Sequence, residues 1–295
     1  MRVVAFSDTH IDINSMMLAS NEERAFTRDF IDVLRDSKPD ILVCAGDVTP
    51  DSQLLEKTLR TIVKEVKAHE YFFVPGNHDI WFGKSVDAEG TATSSLDKHE
   101  RLLPLVTKSA GFHFLPGRPL AVDKIGFLGS TGWYDYSFRD MQWDNEIDQL
   151  HYAAKRHSGL VWNDVNYAEW EMSDPKVCDW MIKQLEKDYK ELQNQGIDEC
   201  ILILHHVPFR DFVSYKNDLS WDFFSAFIGS KKFGEWALTH SEISTVIFGH
   251  THFQKNGIID SISCYCNPVG YLHEAGDEIT DLRKFLKSRL TIIEK

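Results

Sequence analysis

Tyr71-Phe72-Phe73-Val74-Pro75-Gly76-Asn77-His78-Asp79 sets the pattern of the chain: a short apolar run that stops at once on residues of unusual chemistry. The pattern occurs twice before it, with Val3 to Phe6 leading to Ser7-Asp8 and Ile41 to Ala45 leading to Gly46-Asp47. It recurs twice afterwards, with Ile201 to Leu204 before His205-His206 and Thr245 to Phe248 before Gly249-His250-Thr251-His252. Continuous short runs rich in Val, Ile and Phe fit strands buried on both faces. Periodicity alone does not separate such runs from pieces of buried helix, but five repeats of the pattern favour strands.

Helical periodicity fills the gaps. Phe26, Phe30, Val33 and Leu34 share one face, and the segment stops by Ser37-Lys38-Pro39. Thr49-Pro50 reads as an N-cap with proline at the first helical position, opening a stripe of Leu55, Leu59, Ile62, Val63 and Val66. Asp174-Pro175 repeats that start, with Val177, Met181, Leu185 and Leu192 as the stripe and Gly196 as the terminator. Strand, helix, strand, helix, strand is the signature of parallel crossover units. From Phe112 to Gly129 the pattern shortens around Pro116-Gly117 and Asp123-Lys124, which predicts a hairpin and a second sheet. Residues 130 to 173 carry Trp133, Trp143, Trp162 and Trp170 without a clean period, and a similar stretch runs from Phe209 to Phe233. Both read as cap insertions in one domain spanning residues 1–295.

Composition narrows the function. The 295 residues are 43% hydrophobic and 26% charged, close to globular averages and long enough for a sizeable core. Lys and Arg number 32 against 45 Asp and Glu, a net charge of −13, which argues against broad adhesion to nucleic acid or anionic membrane. A phosphate-handling site would need a local positive source. No apolar run approaches 18 residues and none resembles a signal peptide, so a cytoplasmic location is expected. The five scattered cysteines, Cys44, Cys178, Cys200, Cys264 and Cys266, are read as reduced. Cys264-x-Cys266 is better explained by alternation on a strand than by half a zinc site.

The strand-end residues Asp8, His10, Asp47, Asn77, His205, His250 and His252 offer two carboxylates, one amide and four imidazoles. Such a set without thiolate suits a borderline-hard divalent ion such as Mn, Fe, Zn, Co or Ni. Residues at the carboxyl ends of neighbouring strands converge in space, and seven ligands are too many for one tetrahedral ion. They suit two metals roughly 3.5–4 Å apart with a shared carboxylate.

Asp8-Thr9-His10, Gly46-Asp47, Gly76-Asn77-His78-Asp79, His205 and Gly249-His250-Thr251-His252 match, in order, the pattern of the calcineurin-like metallophosphoesterases, which the sequence resembles. The resemblance implies an α/β fold of four layers, two mixed sheets packed face to face with helices outside. It implies Asp8, His10, Asp47 and His252 on a first metal and Asp47, Asn77, His205 and His250 on a second, with Asp47 bridging and Mn or Fe favoured. Spacing leaves His205 and His206 both open; His205 directly follows its strand, as the family's ligand does. The two cations would supply the missing positive charge and a hydroxide for in-line attack at phosphorus. His78 would stand at the leaving-group oxygen, with Asp79 orienting its ring. Trp133, Tyr134, Arg139 and Arg210, from the insertions, are candidate substrate contacts beside Asn77.

The expected activity is hydrolysis of phosphoric esters. The acidic residue after Gly-Asn-His is most similar to the class III cyclic-nucleotide phosphodiesterase type, which suggests small diesters such as cyclic nucleotides. Protein or small-molecule phosphomonoesterases and DNA nucleases are the alternatives. The protein-phosphatase branch has an arginine soon after Gly-Asp, whereas here the run is Gly46-Asp47-Val48-Thr49-Pro50-Asp51. A non-catalytic scaffold should lack ligands, and this chain retains Asp47, Asn77 and His78.

Overall fold

The computed structural model describes residues 1–17, 23–276 and 279–295. Its strands are β1 (Arg2–Phe6), β2 (Ile41–Cys44), β3 (Glu70–Phe73), β4 (His113–Phe114), β5 (Leu120–Val122), β6 (Ile125–Ser130), β7 (Arg156–His157), β8 (Leu160–Val161), β9 (Glu199–Leu204), β10 (Ile243–Phe248), β11 (Lys255–Ile259), β12 (Ile262–Cys266) and β13 (Thr291–Glu294). The first sheet has the order β13-β1-β2-β3-β4, with only β13 antiparallel to its neighbour. The second has the order β11-β12-β10-β9-β6-β5, parallel at its centre and closed by antiparallel hairpins at both edges. The five apolar runs are β1, β2, β3, β9 and β10, and the expected second sheet opens with the β5–β6 hairpin at Asp123-Lys124.

Alternation along these strands builds the layers. Val3, Ala5, Ile41, Val43, Phe72 and Val74 from the first sheet form one apolar cluster with Phe127, Ile201, Ile203 and Ile247 from the second. The Phe72 and Phe127 rings lie 4.8 Å apart across the interface. The intervening residues Val4, Phe6, Leu42, Leu202, Leu204 and Val246 point outward into a second cluster. There they meet Phe30, Leu59, Ile62, Val177, Met181 and Leu185 from the helices Glu23–Ser37, Ser52–Glu65 and Asp174–Asn194. The fold is thus α/β, with two mixed sheets face to face and helices outside. Each fully buried Phe, Leu or Ile contributes about 1.5–3 kcal/mol.

Two helix starts differ from the sequence reading. Asp51, not Thr49, caps Ser52–Glu65, its Oδ1 accepting from the Gln53 and Leu54 amides. Thr49 is drawn away because its own N–H donates to Asp79. Ser173 is the N-cap of Asp174–Asn194, while the Asp174 carboxylate accepts from Trp133 Nε1 at 2.7 Å and also from Tyr136 and Lys155. At the other end Gly196 takes φ +75°, the left-handed position past a helix C-terminus. Among the described residues no helix is long and apolar enough to cross a membrane. All five cysteines are free and buried; Cys264 and Cys266 share one face of β12.

Candidate metal centre

Both sheets deliver their strand ends to one place. β1 is followed by Asp8 and His10, β2 by Asp47, β3 by Asn77, β9 by His205, and β10 by His250 and His252. Backbone bonds fix the loops to one another: Asp8 N–H donates to Gly46 O at 2.8 Å, His10 N–H to Asp47 O at 3.0 Å and Gly249 N–H to His205 O at 3.0 Å. Glycine is required where these loops touch. A Cβ on Gly76 would overlap the Asp47 carboxylate, and one on Gly249 the Asp8 carboxylate.

The donor atoms face inward in two groups. Asp8, His10 and His252 offer ligand atoms within 4.8 Å of one another, as do Asp47, His205 and His250. His10 Nε2 lies 3.1 Å from His252 Nε2 and 3.8 Å from Asp47 Oδ2. His205 Nε2 lies 3.1 Å from His250 Nδ1, and 3.3 Å from both Asn77 Oδ1 and Asp47 Oδ2. Imidazole lone pairs at that separation repel unless a proton or cation lies between them. Two carboxylates, an amide and four imidazoles suit divalent ions, and the grouping leaves Asp47 between the two clusters. The residues therefore fit a pair of cations.

The outer nitrogens of three of these histidines are anchored, which fixes their tautomers. His205 Nδ1 donates to Ala45 O at 2.9 Å, His250 Nε2 to Phe227 O at 3.3 Å, and His252 Nδ1 pairs with Glu274 Oε2 at 2.8 Å. Burial, with His78 and His206 respectively as further causes, holds His10 and His250 well below the ordinary histidine range. Burial opposes the cation at His205 too, yet Asp47 outweighs it and lifts that ring to about 9. Burial acts to raise Asp47, but His205 and His78 outweigh it and hold that carboxyl well below its usual range. Asp47 is thus held as an anion and His10 and His250 as neutral rings, the forms in which they can donate to a cation.

His78 is half-buried beside the centre, a ring nitrogen within 4.8 Å of ligand atoms of His10 and Asp47. Its ring stacks on Trp81 at 3.8 Å, and its Nε2 lies 3.5 Å from the Tyr271 hydroxyl. Asp79 does not orient it. The Asp79 carboxylate is fully buried and accepts four backbone N–H groups, from Asp47 at 2.7 Å, Gly76 at 2.8 Å, Val48 at 3.0 Å and Thr49 at 3.1 Å. It ties the β2 loop to the β3 loop instead. His206 donates from Nδ1 to Thr131 O at 3.1 Å and packs against His250 from behind.

A cleft of about 920 Å³ opens beside the centre, with Asn77, His78, Trp81, His250 and His252 at one side and an aromatic wall of Trp162, Trp221 and Phe224. Four expected substrate contacts do not line it. Trp133 and Tyr134 are fully buried in the core, Trp133 held by Asp174 and Tyr134 by Asp164, because large rings in an aperiodic stretch pack that stretch onto the sheets. Arg139 is paired with Asp144 at 2.8 Å, and Arg210 lies over the Tyr215 ring. The cations that do line the cleft are Lys216 and Arg289. The sequence reading missed Trp81, Asp164, Tyr271 and Glu274. For Tyr271 a signal existed, since Asn267-Pro268-Val269-Gly270-Tyr271 follows a strand end; for Asp164 there was none.

The sequence model of the calcineurin-like phosphoesterases matches residues 1–254. The uncharacterised protein L509 of Acanthamoeba polyphaga mimivirus is 22% identical over 294 residues, covering 93% of either chain. Among solved structures, the phosphopantetheinyl hydrolase of Mycobacterium tuberculosis superposes with TM-score 0.73 at 19% identity, over 99% of this chain and 95% of its own. TT1561 of Thermus thermophilus does so with TM-score 0.52 at 12% identity, over 99% and 98%. With that match across most of the sequence and the strand-end donors gathered as described, the chain belongs to the calcineurin-like phosphoesterase family, and is a metal-dependent hydrolase of phosphoric esters.

Proposed function

We propose that the protein is a dinuclear phosphodiesterase, with Asp8, His10, Asp47 and His252 holding one divalent cation and Asp47, Asn77, His205 and His250 the other. The observation that carries the diester reading is the cleft, which is large and mostly apolar beside the donors and, among the described residues, has only Lys216 and Arg289 as cationic lining side chains. Lys216 Nζ already sits 3.3 Å from the centre of the Trp221 ring. A monoester carries up to two charges and calls for a dedicated cationic clamp, whereas a diester is a monoanion with an organic group on each side of phosphorus. The aromatic wall suits that second group.

When bound, the cations supply an activated water nucleophile and positive charge for the phosphoryl oxygens. The chain's own part is positioning. Glu274, Ala45 O and Phe227 O hold the ligand imidazoles with their inner lone pairs free. Burial lowers the His78 pKa against the pull of Asp47 and Asp164, and the ring, beside His10 and Asp47, would hydrogen-bond the leaving oxygen. Trp81 fixes the plane of that ring.

Cyclic nucleotides fit such a cleft, their bases stacking on the wall. A second reading follows from the M. tuberculosis relative: a diester bearing a phosphopantetheine arm would lay an extended chain along the same wall. The test is kcat/KM for a cyclic nucleotide, a phosphopantetheinyl diester and bis-nitrophenyl phosphate, with wild type and His78→Ala. His78→Ala should keep its metals and lose roughly 10²–10⁴ in turnover on alkyl diesters, and less on nitrophenyl esters, whose leaving group needs little assistance. Equal losses on all three would remove His78 from the leaving group. Hydrolysis of monoesters alone would overturn the diester reading.

A further inference from the structure

Asp164 opens the short helix Asp164–Tyr167 in the stretch between β6 and the long helix Asp174–Asn194, and it is fully buried. Four neutral donors converge on its two oxygens. Oδ1 accepts from Asn77 Nδ2 at 3.0 Å and Trp81 Nε1 at 2.6 Å. Oδ2 accepts from Tyr134 OH at 2.9 Å and Trp162 Nε1 at 2.7 Å. An anion buried among neutral donors is costly unless its hydrogen bonds are complete, and such an arrangement fixes its partners in turn.

We infer that Asp164 is a positioning residue that sets the amide of Asn77 with its oxygen toward the second cation. The logic lies in donor and acceptor capacity. Asp164 Oδ1 already takes the Trp81 indole N–H, which can only donate, so that oxygen is an acceptor and the face that Asn77 turns to it is its NH₂ group. The Asn77 oxygen then points the opposite way, where it lies 3.3 Å from His205 Nε2 in the group formed by Asp47, His205 and His250. A rotated amide would set oxygen against carboxylate and turn NH₂ toward the cation. The same Oδ1 also holds Trp81, whose ring stacks on His78. One carboxylate from the aperiodic stretch thereby fixes a ligand and the aromatic neighbour of the leaving-group histidine.

The inference rests on the dinuclear reading, and the experiment separates the two. Apo-protein is titrated with Zn²⁺ against a chromophoric chelator, which resolves the first and second equivalents, and apo-protein melting is followed by circular dichroism. Wild type that saturates at one equivalent would refute the dinuclear reading itself. Given two equivalents, Asp164→Ala should weaken the second by about 10–100-fold, the usual effect of losing an outer-shell partner, and leave the first within about twofold. Asp164→Asn combined with Trp162→Phe should restore most of that loss, because the amide oxygen can still accept from Asn77 and Trp81, the Tyr134 hydroxyl turns to accept from the NH₂, and the Trp162 N–H that would oppose that NH₂ is gone. Asp174→Ala is the control, since Asp174 gathers Trp133, Tyr136 and Lys155 in the same stretch, none of them a metal donor. It should lower the melting temperature and leave both equivalents unchanged. An unchanged second equivalent in Asp164→Ala, equal weakening of both equivalents, or no recovery when Asp164→Asn is combined with Trp162→Phe would overturn the inference. Should Asp164→Ala not fold, wild type decides by NMR: the Asn77 side-chain amide protons must exchange slowly with water, and rapid exchange would overturn the role.

Discussion

Asp8, His10, Asp47, His250 and His252 hold φ of 55°, 38°, 56°, 70° and 57°, so five of the seven donor residues sit in the left-handed region. For residues with a Cβ this costs on the order of 1–3 kcal/mol each, and it persists only where the surroundings over-determine it. Here the backbone bonds between loops do so, together with His250 N–H donating to the Asp8 carboxylate at 3.0 and 3.2 Å. Strain at the donors means that the neighbours holding each ring matter nearly as much as the ring. Glu274 is one such neighbour, its carboxylate on His252 Nδ1. Glu274→Gln keeps the shape and removes the charge. It should weaken the first metal equivalent by about 10–100-fold while leaving the second nearly unchanged, read by the chelator titration. The reverse selectivity would move His252 to the other cation. Glu274 and Asp164 act across the fold, Asp164 reaching Asn77 from 87 positions away and Tyr134 from 30, and neither belongs to a local pattern. The donors were legible because each closes an apolar run; their supports were not.

The helix Asp174–Asn194 shows the same division at the scale of an element. Its apolar stripe, proline near the start and glycine past the end were readable, and the helix lies where they place it. Its polar attachments were not, since they depend on what the sheets present. Asp188 faces inward at 1% exposure and accepts from Gly117 N at 2.9 Å and Gln184 Nε2 at 2.7 Å, pinning the helix to the Pro116-Gly117 turn. Burial raises its pKa from 3.8 to about 6, against those two donors. The sign follows from proton binding. Between about pH 4 and 6 the folded chain holds this proton and the unfolded chain does not, so stability falls as pH rises through that window and stays lower above it. The shift corresponds to roughly 3 kcal/mol at most. Asp188→Asn keeps an acceptor and cannot ionise, so its melting temperature relative to wild type should rise between pH 4.5 and 7, measured in chelator to exclude metal effects. A difference that stays flat or falls with pH would show that the carboxylate is stabilised where it lies. The two aperiodic stretches carry the corresponding lesson. Length and lack of period marked them as reaching the site, but not which side chains do so: Trp162 and the Phe227 carbonyl face the centre, whereas Trp133 and Tyr134 are packing.

Across the whole molecule the donors bridge the two sheets, with Asp8, His10, Asp47 and Asn77 from the first and His205, His250 and His252 from the second. The sheets already share the apolar cluster around Phe72 and Phe127, so the body of the fold is expected to persist without metal. At the strand ends the balance differs, because two buried carboxylates and four crowded imidazoles face one another. Cations that bind only the folded chain should stabilise it by about 2.7 kcal/mol at a free concentration 100 times the dissociation constant and about 4.1 at 1,000 times. Melting temperature should therefore climb with the logarithm of free Mn²⁺ or Zn²⁺ and fall to a fixed floor in chelator, with the fold and a cooperative transition retained there. Asp47→Asn alters the one carboxylate that lies between both groups, so it should flatten the climb. Asp8→Asn or His252→Ala should remove only the part due to the first cation. The decisive comparison is the slope of melting temperature against log free metal in these variants, alongside metal content by elemental analysis. If Asp47→Asn keeps the wild-type slope and two metals per chain, the bridging assignment fails. If chelator abolishes the transition altogether, the metals are needed for the fold as well as the reaction, and the apolar interface between the sheets is weaker than its burial implies.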